Sequence, residues 1–213
     1  SFFTRRIGVS QDTTTGNNIQ NTIYGGARLS GKLNENLRIG LLSMMTASQQ
    51  ANDLPAFNYT VLAAEQRIFD RSNLAFIFVN KQSINDKGFG ETFDKYDRLA
   101  GIEYRIGSQN NFWSGKVSFM NAITPNDIQQ KFAHFTEVRY NRRRFRLEWS
   151  HALIGDGFDA EVGFVPRKDI LLLSPEATLR FYPKNPNIVQ HSINLESRWY
   201  YKLGKDDNAV LQN

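Results

Sequence analysis

Two of the three histidines in this 213-residue sequence, His134 and His151, fall on consecutive segments that alternate apolar and polar residues. If Arg142-Arg143 is a two-residue turn, Tyr140 faces Phe145, Val138 faces Leu147, Thr136 faces Trp149, and His134 faces His151 across the hairpin. Paired imidazoles are metal-ligating chemistry. Two ligands without a carboxylate on the same face, however, make neither a closed nor a catalytic site, so a polar pair at an interface is the expected role. Ser150 adjoins His151, the pairing a hydrolase needs, but alternation sends the two side chains to opposite faces and disfavours nucleophilic catalysis. With no cysteine, thiolate zinc sites, disulfides and thiol nucleophiles are excluded. No cofactor is expected.

A second group lies in the polar stretch Ile154 to Asp169, which holds Asp156, Asp159, Glu161, Arg167 and Lys168 beside Phe158 and Phe164. Carboxylates with an aromatic ring suit sugar hydroxyls and a stacked sugar face, and oxygen ligands suit calcium. Asp156, Phe158, Asp159, Glu161 and Arg167 are therefore the candidate loop contacts, although their spacing matches no known binding loop. A third group is distributed along the chain. Arg28, Lys32, Glu103, Arg105, Arg139, Arg146, Glu196 and Arg198 occupy the polar positions of alternating segments, roughly one or two per segment. Both signs occur in similar numbers, which points to a salt-bridged wall rather than a selective filter.

The elements that must position these groups are strands. Odd positions Phe145, Leu147, Trp149, His151 and Leu153 oppose Arg144, Arg146, Glu148 and Ser150. About ten segments behave this way: 22–33, 37–47, 57–69, 73–83, 96–106, 112–122, 131–141, 144–153, 170–182 and 190–203. Most reach the ~9–11 residues of a tilted bilayer-spanning strand, against about five or six in ordinary soluble domains. Connections alternate in length. Tight Asn, Asp, Ser and Pro turns at 34–36, 70–72, 108–111, 141–143 and 183–187 are separated by longer links at 48–56, 84–94, 123–130 and 154–169, as in an up-and-down transmembrane barrel. Phe69, Tyr104, Trp113, Tyr140, Phe145, Phe181, Trp199 and Tyr201 read as an aromatic girdle beside the short turns. The expected fold is all-β: an antiparallel up-and-down transmembrane β-barrel, here about ten strands of a larger barrel, with residues 1–213 forming part of one domain and no internal boundary.

Composition agrees. No run of apolar residues is long enough for a spanning helix, and 13% aromatic content is incompatible with a disordered chain. A net charge of +5 is dispersed among 26 basic and 21 acidic residues, so no nucleic-acid partner is expected. The short basic clusters Arg5-Arg6 and Arg142-Arg143-Arg144 suit anchoring against anionic head groups. Neither a basic n-region nor an apolar h-region opens the sequence, so any secretion signal is expected to lie outside it.

Several segments are more specific than periodicity: Phe2-Phe3-Thr4-Arg5-Arg6-Ile7-Gly8, Gly25-Gly26-Ala27-Arg28-Leu29-Ser30-Gly31-Lys32, Ile39-Gly40-Leu41-Leu42, Asn58-Tyr59-Thr60-Val61-Leu62 and Phe158-Asp159-Ala160-Glu161-Val162-Gly163-Phe164-Val165-Pro166-Arg167. In this order they resemble an outer-membrane β-barrel domain family of unknown function, common in Bacteroidota, that usually follows a carbohydrate-binding family nine-like domain. The resemblance covers nearly the whole chain. It implies location in a bacterial outer membrane, an association with glycan, and a longer protein with a sugar-binding module before Ser1 and further strands after Asn213. It supplies no catalytic residues. The partners expected are the lipid bilayer, glycan bound through a module outside this chain, and other outer-membrane proteins.

Two functions follow from these readings. The preferred one is a non-enzymatic outer-membrane barrel in glycan binding, uptake or surface assembly. The alternative is an outer-membrane or secreted carbohydrate-active hydrolase with its catalytic acids outside this segment, which would need paired carboxylates ~5–10 Å apart. Gly204 to Asn208 reads as a further short turn and Ala209 to Asn213 as the start of another strand, so the last long strand is expected to have an edge that this sequence does not pair.

Overall fold

The structure, a computed structural model, describes residues 8–11, 18–90, 93–125, 130–158, 167–185 and 187–204. Thirteen strands and one 3-10 turn, Gln50–Asn52, appear among them, and no helix is long and apolar enough to cross a membrane. β1 (Val9–Gln11) and β2 (Asn18–Gln20) form a small separate hairpin that the polar sequence there does not announce. The main sheet contains β3 (Ile23–Lys32), β4 (Leu37–Thr46), β5 (Ala56–Ile68), β6 (Ser72–Ile84), β7 (Tyr96–Gly107), β8 (Trp113–Ile123), β9 (Phe132–Asn141), β10 (Phe145–Ile154), β11 (Ile170–Phe181), β12 (His191–Glu196) and β13 (Trp199–Lys202).

From β3 to β12 every strand pairs antiparallel with the next in sequence, and β13 pairs β11 beyond β12. The sheet is thus an up-and-down meander. It is not closed: among the described residues β3 pairs only with β4, and β12 and β13 pair only with β11. The expected edge on the last long strand is present. Phe2 to Ile7 of the first resemblance segment and Ala209 to Asn213 of the expected further strand fall outside the described residues.

Local chemistry explains the short turns. Asn34 Oδ1 accepts from the backbone N–H of both Asn36 and Leu37 at 2.8 Å. Asn110 Oδ1 accepts from Phe112 N at 3.0 Å, while Asn111 takes a left-handed φ of 59° that asparagine tolerates better than most residues. Asn185 Oδ1 accepts from Asn187 N at 3.0 Å.

Four sequence expectations need correction. The β9–β10 turn is centred on Arg143-Arg144 instead of Arg142-Arg143, closed by Arg142 N donating to Phe145 O, so the register moves by two residues. Tyr140 opposes Leu147, Val138 opposes Trp149, Thr136 opposes His151 and His134 opposes Leu153. A shift of two keeps every side chain on its expected face. Second, the strand expected over 190–203 is interrupted at Ser197 and Arg198. Pro175 is the reason: Ser197 N donates to Pro175 O at 3.2 Å, but proline has no N–H to complete the pair. Third, Trp199 and Tyr201 stand opposite Leu173 and Leu171, at the long-link end of β11, not beside the short turns. Fourth, Gly204 lies beside Asp169 on that same side, so the described part of the expected further short turn is at the wrong end of the sheet.

The two faces differ in chemistry. One exposes Leu29, Leu41, Leu62, Phe76, Ile102, Phe119, Leu147, Trp149, Leu179 and Leu195, all more than a third accessible. The other carries the charges over its short-turn half and a core over its long-link half. That core is a row across six adjacent strands, Phe57, Val79, Leu99, Ala122, Ala133 and Ile154, with Tyr59 beside it. Two links fold onto it: Phe158 is buried in the cluster and Phe93 packs edge-on to Phe57 at 6.0 Å. Burial of a Phe side chain is worth ~1.5–3 kcal/mol, which fixes the links over the strand ends. The links also clasp one another, as Gly90 N donates to the Asp53 carboxylate at 2.9 Å.

Gly115 marks where two strands approach most closely on the apolar face. A Cβ there would lie 2.2 Å from Glu137 O and 2.9 Å from the Val138 Cα, whereas one at Gly31 would meet nothing within 4 Å. Gly115→Ala is expected to lower stability by about 1–3 kcal/mol through overpacking, and Gly31→Ala to leave it within about 0.5 kcal/mol. Urea midpoints of the two variants against the parent protein measure both.

Candidate functional site

The feature that could perform a function is the charged face. In an antiparallel sheet, residues two apart on a strand share a face, and cross-strand partners sit beside them. Five strand segments exploit this with a glutamate and an arginine separated by one residue: Glu65-Gln66-Arg67, Glu103-Tyr104-Arg105, Glu137-Val138-Arg139, Arg146-Leu147-Glu148 and Glu196-Ser197-Arg198. This spacing is the signal that identifies the glutamates absent from the sequence-derived set. It places both charges of each pair on one face, where registration then links them.

Two networks result. In the first, Arg105 Nε donates to Glu103 Oε1 at 2.7 Å, and Arg105 Nη1 lies 3.5 Å from Glu65 Oε1, which also accepts from Asn73 Nδ2 at 3.0 Å. In the second, Arg139 Nε donates to Glu148 Oε2 at 2.8 Å and Arg139 Nη2 to Glu137 Oε1 at 3.4 Å, while Arg146 Nη2 donates to the same Glu148 oxygen. Between the networks Lys116 stands in register with both Arg105 and Glu137. On the far side of the second, Glu176 opposes Glu148 and Thr178 opposes Arg146.

These pairs differ in strength. Arg105 and Glu65 expose 48% and 38% of their side chains and Arg198 and Glu196 expose 63% and 44%, whereas Glu148 exposes only 14%. Exposed pairs contribute about 0–1 kcal/mol each. Glu148, sequestered between two guanidiniums, is the one whose loss would leave Arg146 without its partner and Arg139 with Glu137 alone.

The candidate charges therefore separate into groups. Glu103, Arg105, Arg139 and Arg146 belong to the networks, and Glu196 and Arg198 pair with each other at 2.7 Å. Arg28 and Lys32 lie on the exposed edge strand β3, opposite Leu42 and Arg38, with no ion pair among the described residues. Farther along the same face, Lys81 and Asp97 are in register and both buried beside the core row, and Lys81 Nζ sits 4.3 Å from the centroid of the Phe57 ring. Their inclusion in an otherwise apolar row was not foreseeable from alternation alone.

The loop candidates do not assemble into one site among the described residues. Asp156 is exposed, Phe158 is buried in the core, and Arg167 is exposed with its guanidinium 5.5 Å from the Tyr200 ring centroid. Asp159 and Glu161 lie outside the described residues. No group of three or more potential metal ligands occurs among the described residues.

The histidine pair survives its change of register because a diagonal neighbour still reaches. His151 Nε2 and His134 Nδ1 are 3.0 Å apart, and Trp149 Nε1 donates to His151 Nδ1 at 3.0 Å. Since Nδ1 accepts, His151 carries its proton on Nε2 and donates to His134. The three side chains form a hydrogen-bonded chain on the apolar face. Ser150 is on the other face and donates to Ser174 O at 3.2 Å, away from the imidazole. A shallow depression of about 400 Å³ between Phe69, Ser72, Tyr104 and Gly107 holds Asp70 as its titratable acid, already engaged by Gln109 Nε2.

Glu148→Gln is expected to lower stability by about 1–3 kcal/mol, the range for losing charged hydrogen bonds, while Glu196→Gln changes it by less than about 1 kcal/mol. The two urea midpoints, measured side by side, check the ranking; equal effects would show that the second network has no special weight.

Comparison with protein-family models, curated proteins and solved structures gives no match, so the functional reading has to stand on the chemistry of these two faces.

Proposed function

We propose that this chain is part of a non-enzymatic outer-membrane β-barrel that serves glycan binding, uptake or surface assembly, with recognition supplied largely by a module outside the chain. The observation that carries the membrane part is the inversion of the sheet's faces. A soluble half-buried sheet turns its apolar face to a core and its charges to water. Here apolar side chains are exposed across the meander, from Leu29 on β3 to Leu195 on β12, while ion pairs line the opposite face. Exposed apolar patches on monomeric soluble proteins rarely exceed a few hundred Å². Hydrocarbon outside and a hydrated lumen inside accommodate both faces.

Strands of 10 to 13 residues in β3 to β11 support the same reading, since they reach the ~9–11 residues that a tilted span needs. Short turns then face the periplasm and the longer links the exterior. In such a barrel the open edges at β3 and β12–β13 are met by further strands, because each unpaired amide in hydrocarbon costs several kcal/mol. The glycan part of the proposal rests on the resemblance of the sequence segments to the outer-membrane domain family.

Cysteines at Lys87, in an exposed link, and Asn110, in a short turn, test location and orientation in the full-length protein. An impermeant maleimide applied to intact cells should label Lys87→Cys and spare Asn110→Cys until the cells are broken. The opposite pattern would reverse the topology. Recovery of the protein as a monomer in water without detergent would overturn the membrane reading.

A further inference from the structure

We infer that the short-turn rim of β8 to β12 is a binding surface for anionic phospholipid head groups. This inference rests on the membrane reading and adds a lipid class and a location to it. Three turns are knitted into one surface there. Asn141 N donates to Phe112 O at 2.8 Å, Arg180 N donates to Arg144 O at 2.7 Å, and Tyr182 Oη donates to Arg143 O at 2.8 Å.

The charge on this surface is of one sign. Arg142, Arg143, Arg144, Arg180 and Lys184 lie within segments 108–116, 140–146 and 179–190, which contain no aspartate or glutamate. The partners that position the arginines are neutral. The Arg142 guanidinium lies 3.6 Å from the Phe112 ring centroid and donates from Nε to Tyr140 Oη at 3.0 Å. Arg143 lies 5.0 Å from the Tyr182 ring centroid, and Arg180 Nη1 donates to Asn141 Oδ1 and Arg142 O at 3.1 Å. Arg142, Arg143 and Arg144 are exposed and make no ion pair among the described residues. Contrast the charged face, where each networked arginine has a glutamate.

Aromatic rings complete the site. Trp113 is 4.7 Å and Phe145 5.6 Å from the Tyr140 ring, all on the apolar-face parity. Such rings sit at the level of head groups, and arginines stacked on them are preorganised to present N–H donors to a phosphate just above the hydrocarbon. Each basic residue near an anionic surface contributes about 1 kcal/mol, or roughly a fivefold preference.

The experiment reconstitutes the full-length protein in bilayers of brominated phosphatidylglycerol mixed with ordinary phosphatidylcholine, and in the reverse mixture. Bromine quenches tryptophan at contact, so the ratio of the two quenching curves gives relative lipid binding at Trp113 in a background where every other tryptophan, Trp149 and Trp199 of this chain among them, is replaced by phenylalanine. The expected result is phosphatidylglycerol favoured about fivefold at low salt, falling towards unity in 0.5 M sodium chloride and in R142Q/R143Q. Equal quenching by both lipids would overturn the anionic site while leaving the membrane reading intact. No quenching by either would overturn both. If the single-tryptophan variant does not fold, the same ratio is read from the protein with all its tryptophans, and an R142Q/R143Q variant indistinguishable from it overturns the inference.

Discussion

Register parity is the constraint on which the rest of this sheet depends. Side chains alternate with period two, so sliding one strand by a single residue would carry its whole polar set to the other face. Arg139 and Glu148 meet because β9 and β10 pair them directly, and Arg146 joins because two residues along a strand return to the same side. The Glu-x-Arg and Arg-x-Glu spacings use this twice, within a strand and between strands. A slip would expose unpaired charges among Leu147, Trp149 and Phe119 while burying nothing in return, which makes the observed registration strongly preferred.

The same constraint explains what was legible in the sequence. Nine of the ten expected strands agree with observed strands to within one residue at each end, because alternation and Asx-turn chemistry are both local properties. The face of each candidate charge was legible too. What escaped was decided by partners. The β9–β10 turn is centred on Arg143-Arg144 rather than Arg142-Arg143, and nothing in Asn141-Arg142-Arg143-Arg144 distinguishes these by composition. Proline 175 reads as one unfavourable residue in a strand; its effect appears on β12–β13, because that is where its missing N–H would have pointed. The end at which Trp199 and Tyr201 stand follows from counting crossings, not from the residues themselves. Phe158 looked like a loop aromatic until the link was seen folded onto the core.

Energetically the sheet is poorly served by water. Only nine hydrophobic side chains are buried among the described residues, most of them in one row at the long-link end. Ion pairs that are largely exposed contribute little to net stability, so their value lies in neutralising the charged face and specifying its register. The larger apolar area remains uncovered. It is this uncovered face, rather than any cluster of reactive groups, that distinguishes the chain from an ordinary soluble β-domain.

If the sheet forms part of the proposed barrel, the core row has a consequence for permeation. Along the charged face, a solute beginning at the short turns would meet both signs of fixed charge and retain its hydration. Past Ser118 the wall becomes Leu99, Ala122, Ala133 and Ile154, with Phe93 and Phe158 packed over it. In a barrel built on this wall the dielectric constant would fall along the path, and an ion hugging these strands would shed water against an apolar row whose neighbouring charges, Lys81 and Asp97, are themselves buried. Conductance would then be governed by how the links sit over their strand ends, and the strands would supply the conduit without setting its resistance.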